Sequence, residues 1–218
     1  MSDFEARKKI IFALWKNTGL LTFLFLTLRT LLLPLDKLHL DIVDKGNIVE
    51  IGSGHGVVIA YLALRSKKRK VIGFDPDGLR TNVAKCSFSF IENITFYEKY
   101  FDNDLIPSYN CVIIYGTLCL MDDQTISNLF SKIKENITQD GSIYISDILK
   151  QKKFIYYLHI FRENFFKKIN FTKGDVVIAR KLDEWSKIFL RSNFNTFCVV
   201  KTKVLFHSTI DFLIKIEK

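Results

Sequence analysis

Asn47-Ile-Val-Glu-Ile-Gly-Ser-Gly-His-Gly-Val-Val-Ile-Ala-Tyr-Leu-Ala-Leu64, followed after a short basic loop by Val71-Ile-Gly-Phe-Asp-Pro-Asp77, is the stretch on which the fold turns. Ile48, Val49 and Ile51 form a short apolar strand that runs into Gly52, Gly54 and Gly56. An apolar helix follows at once, from about Val57 to Arg65. Glycines let the backbone turn with positive φ and approach a ligand with no Cβ in the way. The first turn of the new helix has N–H groups without intrahelical partners, and the spacing predicts that they point at that ligand. A second strand, Lys70 to Phe74, ends on Asp75, placed to accept from a pair of ribose hydroxyls. The stretch predicts a nucleoside-binding βαβ unit.

The glycine spacing departs from the dinucleotide fingerprint G-x-G-x-x-G, because Val57 stands in the third slot. Glu50 precedes the first glycine by two residues. A carboxylate there repels a pyrophosphate and attracts a cation, and S-adenosylmethionine carries both an ammonium and a sulfonium. Glu50-Ile-Gly-Ser-Gly-His-Gly56 resembles the first motif of the class I S-adenosylmethionine-dependent methyltransferases, and Gly73-Phe-Asp-Pro-Asp77 resembles their second. The resemblance implies S-adenosyl-L-methionine as cofactor. It places Glu50 near the methionine end, Gly52, Ser53, Gly54 and Gly56 under the ligand, and Asp75 with Pro76 at the ribose. Tyr115 falls where the family has its active-site wall. Tyr100 matches the position of an acid that many relatives use on the adenine amino group, with Asp102 as a substitute.

Farther along, Asp77 is placed to cap a helix reaching about Phe88. Asn93 to Glu98 alternates as a strand, and Asn110 to Ile114 is a continuous apolar run, as in a strand buried on both faces. A helix from Asp122-Asp123 repeats Ile126, Leu129, Phe130, Ile133 and Ile137 with a 3.6-residue period. Gly141 ends the turn after it, and Ser142 to Ser146 is a fifth strand, closed by Asp147. A helix over residues 181–194 ends in Ser192-Asn193-Phe194, with Asn193 as a left-handed cap. Two alternating runs, 195–205 and 209–216, read as a terminal hairpin. Strand and helix alternating with short turns predict an α/β, doubly wound parallel sheet. The resemblance makes it a seven-stranded Rossmann-like sheet with an antiparallel last strand. The expected division is an N-terminal helical cap, 1–36, and a cofactor-binding domain, 37–218, with a cap insertion at 150–180.

Two apolar segments lie outside that sheet. The first, residues 10–35, holds a twelve-residue uncharged run between Lys16 and Arg29. As a helix it is roughly 18 Å long, too short for a hydrocarbon core of about 30 Å. Two readings are open: a helix pair packed over the sheet or active site, and a helix lying on a membrane surface with its basic residues toward the headgroups. The second, residues 153–171, carries a stripe of Phe154, Tyr157, Leu158, Phe161 and Phe165. Both are expected over the carboxyl ends of the strands, enclosing a pocket for a hydrophobic or lipid-like acceptor.

The chain has 218 residues, 48% of them hydrophobic, and a net charge of +9. These values exclude disorder and invite a nucleic-acid reading. The basic residues nevertheless lie in short scattered runs; Lys67-Lys-Arg-Lys70, between helix and strand, reads as a solvated loop. An Asn-Pro-Pro-Tyr-type stretch is missing after the fourth strand, which speaks against base methylation of nucleic acid. The four cysteines lack C-x-x-C spacing, so neither a zinc site nor a dithiol motif is expected. Cys111 and Cys198 fall in predicted strands and read as buried thiols of a reduced, cytoplasmic protein.

Methyl transfer from a sulfonium mostly requires that the acceptor be held against the methyl group in a dry site. A base is needed only when the acceptor loses a proton. His55 lies inside the glycine turn and reads as packing beside the cofactor; His159 reads as solvated; His39 and His207 have no partner visible in the sequence. Relatives often show Asp-x-Leu-His after the fourth strand, where this chain has Gly116-Thr-Leu-Cys119. No catalytic residue is assigned. The reading is a methyltransferase acting on a small, hydrophobic or lipid-like acceptor. Its rivals are a cofactor-binding or scaffold protein without turnover and, on charge alone, a nucleic-acid methyltransferase.

Overall fold

Three helices come first in the structure, a computed structural model that describes residues 1–150, 177–194, 197–200 and 209–215. They are α1 (Asp3–Trp15), α2 (Leu20–Leu32) and α3 (Leu35–Asp41). The elements β1 (Gly46–Ile51), α4 (Val57–Arg65), β2 (Arg69–Phe74), α5 (Gly78–Ser87) and β3 (Ile94–Tyr97) follow. The chain continues with β4 (Tyr109–Tyr115), α6 (Asp123–Asn136), β5 (Ile137–Ile148), α7 (Leu182–Arg191), β6 (Phe197–Val200) and β7 (Thr209–Lys215). The seven strands form one sheet in the order β3-β2-β1-β4-β5-β7-β6. β1, β2 and β3 pair in parallel, and β7 runs antiparallel to both β5 and β6. This is the expected Rossmann-like sheet with its reversed strand. By contacts the chain divides into two units, Met1–Ile113 and Ile114–Lys218.

In the first unit, α4 is apolar on every side and buries every residue from Val57 to Ala63. It lies hard against β2. A Cβ at Gly73 would stand 2.5 Å from Ile59 Cδ1, so only glycine admits the helix there. The opposite side of α4 carries polar tips that fasten the N-terminal helices. Tyr61 Oη donates to Asp3 Oδ1 at 2.6 Å, and Arg65 Nη1 donates to Asp36 Oδ1 at 2.6 Å. Arg7, paired with Asp3, donates to the Thr30 and Leu33 carbonyls and so ties α1 to the end of α2. Tyr61→Phe removes a bond from a buried tyrosine to the half-exposed Asp3, and an unfolding free energy lower by about 1 kcal/mol is expected from urea titration. Unchanged stability would mean that this contact does not anchor α1.

The basic run before β2 is not wholly a solvated loop. Arg69 opens the strand and is buried, donating to the Val43 carbonyl at 2.9 Å and the His39 carbonyl at 3.1 Å. Its Nη1 lies 2.7 Å from His39 Nδ1, which gives His39 the partner that its sequence neighbours do not supply. Burial, then the Arg69 and Arg65 charges, hold His39 below the ordinary histidine range. Five donors on a planar fork let Arg69 satisfy carbonyls of α3 and of the α3–β1 connection that a lysine could not reach together.

In the second unit, Asp122 caps α6 by accepting the Thr125 N–H at 2.7 Å, and Ile126, Phe130 and Ile133 face inward. The extended segment of β5 begins at Ile137, earlier than the predicted Ser142. The turn expected to end at Gly141 falls inside this strand, where a Cβ at Gly141 would sit 2.8 Å from the Thr138 carbonyl oxygen. Pairing with β7 starts at Ser142. α7 ends as predicted: Asn193 has φ 56° and the Phe194 N–H donates to the Phe189 carbonyl at 2.9 Å. Trp185, Phe189, Phe197 and Phe212 pack together. Cys111 is buried as expected, but Cys198 is exposed. β6 closes the edge of the sheet, where Phe197 packs on Phe212 while Cys198 and Val199 are exposed. The expected stripe at 153–171, with His159, and also His207, lie outside the described residues.

Candidate functional site

Positive φ at Gly52 (76°), Gly54 (53°) and Gly56 (75°) builds the β1–α4 turn. The turn is bolted to the end of β2. The Gly52 and Ser53 N–H groups both donate to the Phe74 carbonyl, at 2.8 and 3.0 Å, and the Gly56 N–H donates to the Ser53 carbonyl at 2.9 Å. Asp75, buried, bridges two segments. Its Oδ2 accepts the Gly54 N–H at 2.8 Å and its Oδ1 accepts the Asp77 N–H at 2.8 Å. Asp77 then caps α5 through the Leu79 and Arg80 N–H groups. The expectation that the N–H groups at the start of α4 stand free for a ligand is corrected: that of Ile59 is instead taken by Glu50, and those of Gly52, Ser53, Gly54 and Gly56 before it are held internally. A carboxylate has about four acceptor positions, so Asp75 keeps capacity for more donors.

Glu50 has a second role that its place in the motif does not reveal. The N-cap of α4 is Gly56, which has no side chain to offer, and the Glu50 carboxylate accepts the Ile59 N–H in the first turn of the helix. An acid is favoured at a helix N-terminus by the backbone dipoles as well as by this bond. Glu50 is 1% exposed, and its Oε2 is buried without a hydrogen-bond partner. Burial holds its carboxyl well above the usual range; nearby Asp75 adds to this, while Arg29 of α2 and the Ile59 N–H oppose it. His55, in the same turn, is pushed down to about 4 by burial and by the Arg80 and Arg29 charges. It is neutral near pH 7 and a weak base, in line with a packing role.

The glycines differ in what surrounds them. A Cβ at Gly56 would lie 2.6 Å from Phe96 Cε1 and 3.1 Å from Ala84 Cβ, so this glycine serves close packing. At Gly54 the nearest atom to an added Cβ is Asp75 Oδ2, at 4.0 Å; the space over it is open. Ser53 is buried and Pro76 is exposed. Tyr100 is 77% exposed, whereas its neighbour Phe101 is buried and packs edge-on against Phe74 at 5.5 Å. Asp102 accepts from Lys99 at 2.7 Å.

Tyr115 ends β4 in the second unit and is half-buried. Gly116 follows with φ 67°, its N–H donating to the Ser146 carbonyl at 2.7 Å, and nothing lies within 4 Å of where a Cβ would be. The ends of β4 and β5 meet here. Asp147, at the end of β5, is 1% exposed; its Oδ1 accepts the Ile148 N–H at 2.6 Å and its Oδ2 has no partner. Burial, opposed by the Ile148 N–H, by Cys119 and by Arg180, pushes its carboxyl up to about 6. Arg180 is itself buried against Asp123 Oδ1 (2.8 Å) and the Met121 carbonyl (2.6 Å). Sequence reasoning passed over Asp147 as a strand terminus; an acid closing an otherwise apolar run was the available signal. Among the described residues, no three His, Cys, Asp or Glu side chains are grouped to hold a metal ion.

No family model matches the sequence, and no curated protein is similar to it. Solved structures are similar in fold. Human N-acetylserotonin methyltransferase, solved in complex with SAM, superposes with a TM-score of 0.69 over 90% of this chain and 55% of that one, at 18% identity. The pyocyanin biosynthetic protein PhzM gives 0.66 over 89% and 57%, at 12% identity. CalO1, a methyltransferase of calicheamicin biosynthesis in its SAH-bound form, gives 0.62 over 90% and 57%, at 10% identity. The chain thus spans a little over half the length of each, and it has the fold of the class I S-adenosylmethionine-dependent methyltransferases.

Proposed function

We propose that this chain, built on the class I methyltransferase fold, binds S-adenosyl-L-methionine at the β1–α4 turn and transfers its methyl group to a small, hydrophobic or lipid-like acceptor. The observation that carries the reading is Glu50 Oε2, a buried carboxylate oxygen without a partner beside a glycine turn left open at Gly54. A buried acceptor of that kind is costly unless a ligand donor meets it. The small-molecule part is supported by the names of similar structures, N-acetylserotonin methyltransferase and a pyocyanin biosynthetic protein among them. The acceptor's apolar character rests on the apolar segments of this chain.

When bound, the cofactor supplies an activated methyl group on a sulfonium. In this reading Glu50 takes the ammonium of the methionine moiety, Asp75 uses its spare acceptor positions on the ribose, and Gly52, Ser53, Gly54 and Gly56 form the floor. Pro76 and Tyr100 complete the proposed contacts. The protein's contribution is to position the groups and exclude water. If the acceptor must lose a proton, His55, held down to about 4, is poorly matched to the task.

Titration calorimetry with S-adenosylhomocysteine tests the cofactor, and radiolabelled methyl transfer into lipid, small-molecule and nucleic-acid fractions tests the acceptor. Absence of binding would overturn the reading; binding without any transfer would leave only a cofactor-binding protein. Protonation gives a sharper signature. Glu50 is neutral in the free protein to well above pH 4.5, and the ligand ammonium requires it charged. Affinity should therefore rise with pH across that interval, by at most about tenfold per unit, and Glu50→Gln should flatten the rise. The stability linkage has the opposite sign: the neutral, buried carboxyl favours folding below pH 4.5, and that contribution fades as pH rises through the raised value. Affinity that does not depend on pH in the wild type would exclude Glu50 as the ammonium partner.

A further inference from the structure

The first two helices bury only one side each. On α1, Ala6, Ile10, Ala13 and Leu14 turn inward, and at 100° per residue the other side carries Phe4, Phe12 and Trp15, which are 58–74% exposed. On α2, Leu26 and Thr30 are buried, while Leu20, Leu24, Leu28 and Leu31 make a row 53–64% exposed, flanked by Leu21 at 80%. An open groove of about 440 Å³, lined by Phe4, Ile11, Phe12, Phe23 and Leu31, lies within this surface. Trp15 packs edge-on against Phe23, with ring centroids 4.8 Å apart. So many large apolar side chains in one patch mark an interaction surface.

Charge narrows the choice of partner. Lys8, Lys9 and Lys16 are exposed on α1, and the Lys16 ammonium lies 4.6 Å from the Phe12 ring centroid. The one acidic residue on that side is Glu5, engaged with Ser2 in the cap of α1. The leucine row of α2 offers neither charge nor hydrogen-bonding group to specify a protein partner. A two-fold contact with a second copy would set the α1 lysines against their own counterparts. An apolar face bordered by lysines, with aromatic rings among them, suits a bilayer interface carrying negative charge.

We propose that the outer face of α1 and α2 docks on an anionic membrane surface, with Phe12, Trp15 and the α2 leucines in the acyl boundary and Lys8, Lys9 and Lys16 at the phosphates. No described helix is long and apolar enough to cross a membrane, so the contact is one of lying on the surface. The proposal does not depend on methyl transfer.

The test is co-sedimentation of the full chain with phosphatidylcholine vesicles, with and without phosphatidylglycerol. Binding to the anionic vesicles is expected to be about tenfold or more stronger and to weaken with added salt. Leu21→Glu with Leu24→Glu should abolish binding to both vesicles, and Lys8→Glu with Lys9→Glu and Lys16→Glu should remove the anionic preference. All these side chains are exposed, and an unchanged thermal midpoint confirms the fold of each variant. Wild-type protein that ignores vesicles, or leucine variants that bind as well as wild type, would overturn the proposal. So would a concentration-dependent dimer, seen by sedimentation equilibrium, that Leu24→Glu dissociates in place of vesicle binding. Titrating the same samples with S-adenosylhomocysteine separates the two proposals: ligand binding without vesicle binding defeats only the docking face, and the reverse defeats only the cofactor site.

Discussion

Asp75→Ala is expected to weaken S-adenosylhomocysteine binding by about 10- to 100-fold, since a charge-assisted hydrogen bond contributes about 1.5–3 kcal/mol. The same change should lower the unfolding free energy by about 2–4 kcal/mol. Asp75 is buried and accepts two backbone N–H groups, those of Gly54 and Asp77, and each would be left without its acceptor. One side chain thus holds the glycine turn to the segment after β2, and ribose recognition is the role proposed for its spare acceptor positions. Asp75→Asn distinguishes the two. An amide oxygen can still serve one of the two N–H groups, while its NH₂ faces the other donor, so stability should be partly restored. Affinity should stay low, because the charge is gone. Calorimetry beside urea unfolding reads both quantities. A folded Asp75→Ala protein that binds the ligand like wild type would remove Asp75 from the site and with it the assignment of the second motif.

The readable parts of the chain were those whose cause is local. Gly52, Gly54 and Gly56 needed positive φ, and Asp77, Asp122 and Asn193 serve as caps within three residues of the groups they bond. The strands followed from apolar runs bounded by turns, and the terminal hairpin from its alternation. What stayed hidden depended on partners distant in sequence. Arg69 resembled a member of a surface run until α3 and the residues after it supplied the His39 and Val43 carbonyls. Glu50 was read for its charge toward a ligand, and its bond to Ile59 followed only once the turn brought the helix over it. Asp147 stands alone in the sequence; the β4 end brings Cys119 close to it. Cys198 satisfied a strand pattern, but pattern does not say which strand closes the edge of a sheet.

Gly54→Ala and Gly56→Ala should fail in different ways, although both glycines belong to one motif and both have positive φ. A left-handed alanine costs about 1–2 kcal/mol at either position. At Gly56 the new methyl would also overlap the Phe96 ring at 2.6–2.7 Å and press on Ala84 at 3.1 Å. Those groups belong to β3 and α5, packed in the core of the unit, and overpacking of this kind adds about 1–3 kcal/mol. Gly56→Ala is therefore expected to lose about 2–5 kcal/mol of stability, with ligand binding impaired only to the extent that the fold is. At Gly54 the methyl meets nothing closer than Asp75 Oδ2 at 4.0 Å, so the stability loss should stop at the conformational term. The open space over Gly54 is where the ligand is proposed to lie, and a methyl there should reduce S-adenosylhomocysteine affinity by more than about tenfold, the equivalent of about 1.4 kcal/mol. The measurement is a pair of unfolding curves and a pair of titrations on the same preparations. A stable Gly54→Ala protein with wild-type affinity would show that no ligand approaches the backbone at this turn, leaving it a strand-to-helix connection and nothing more.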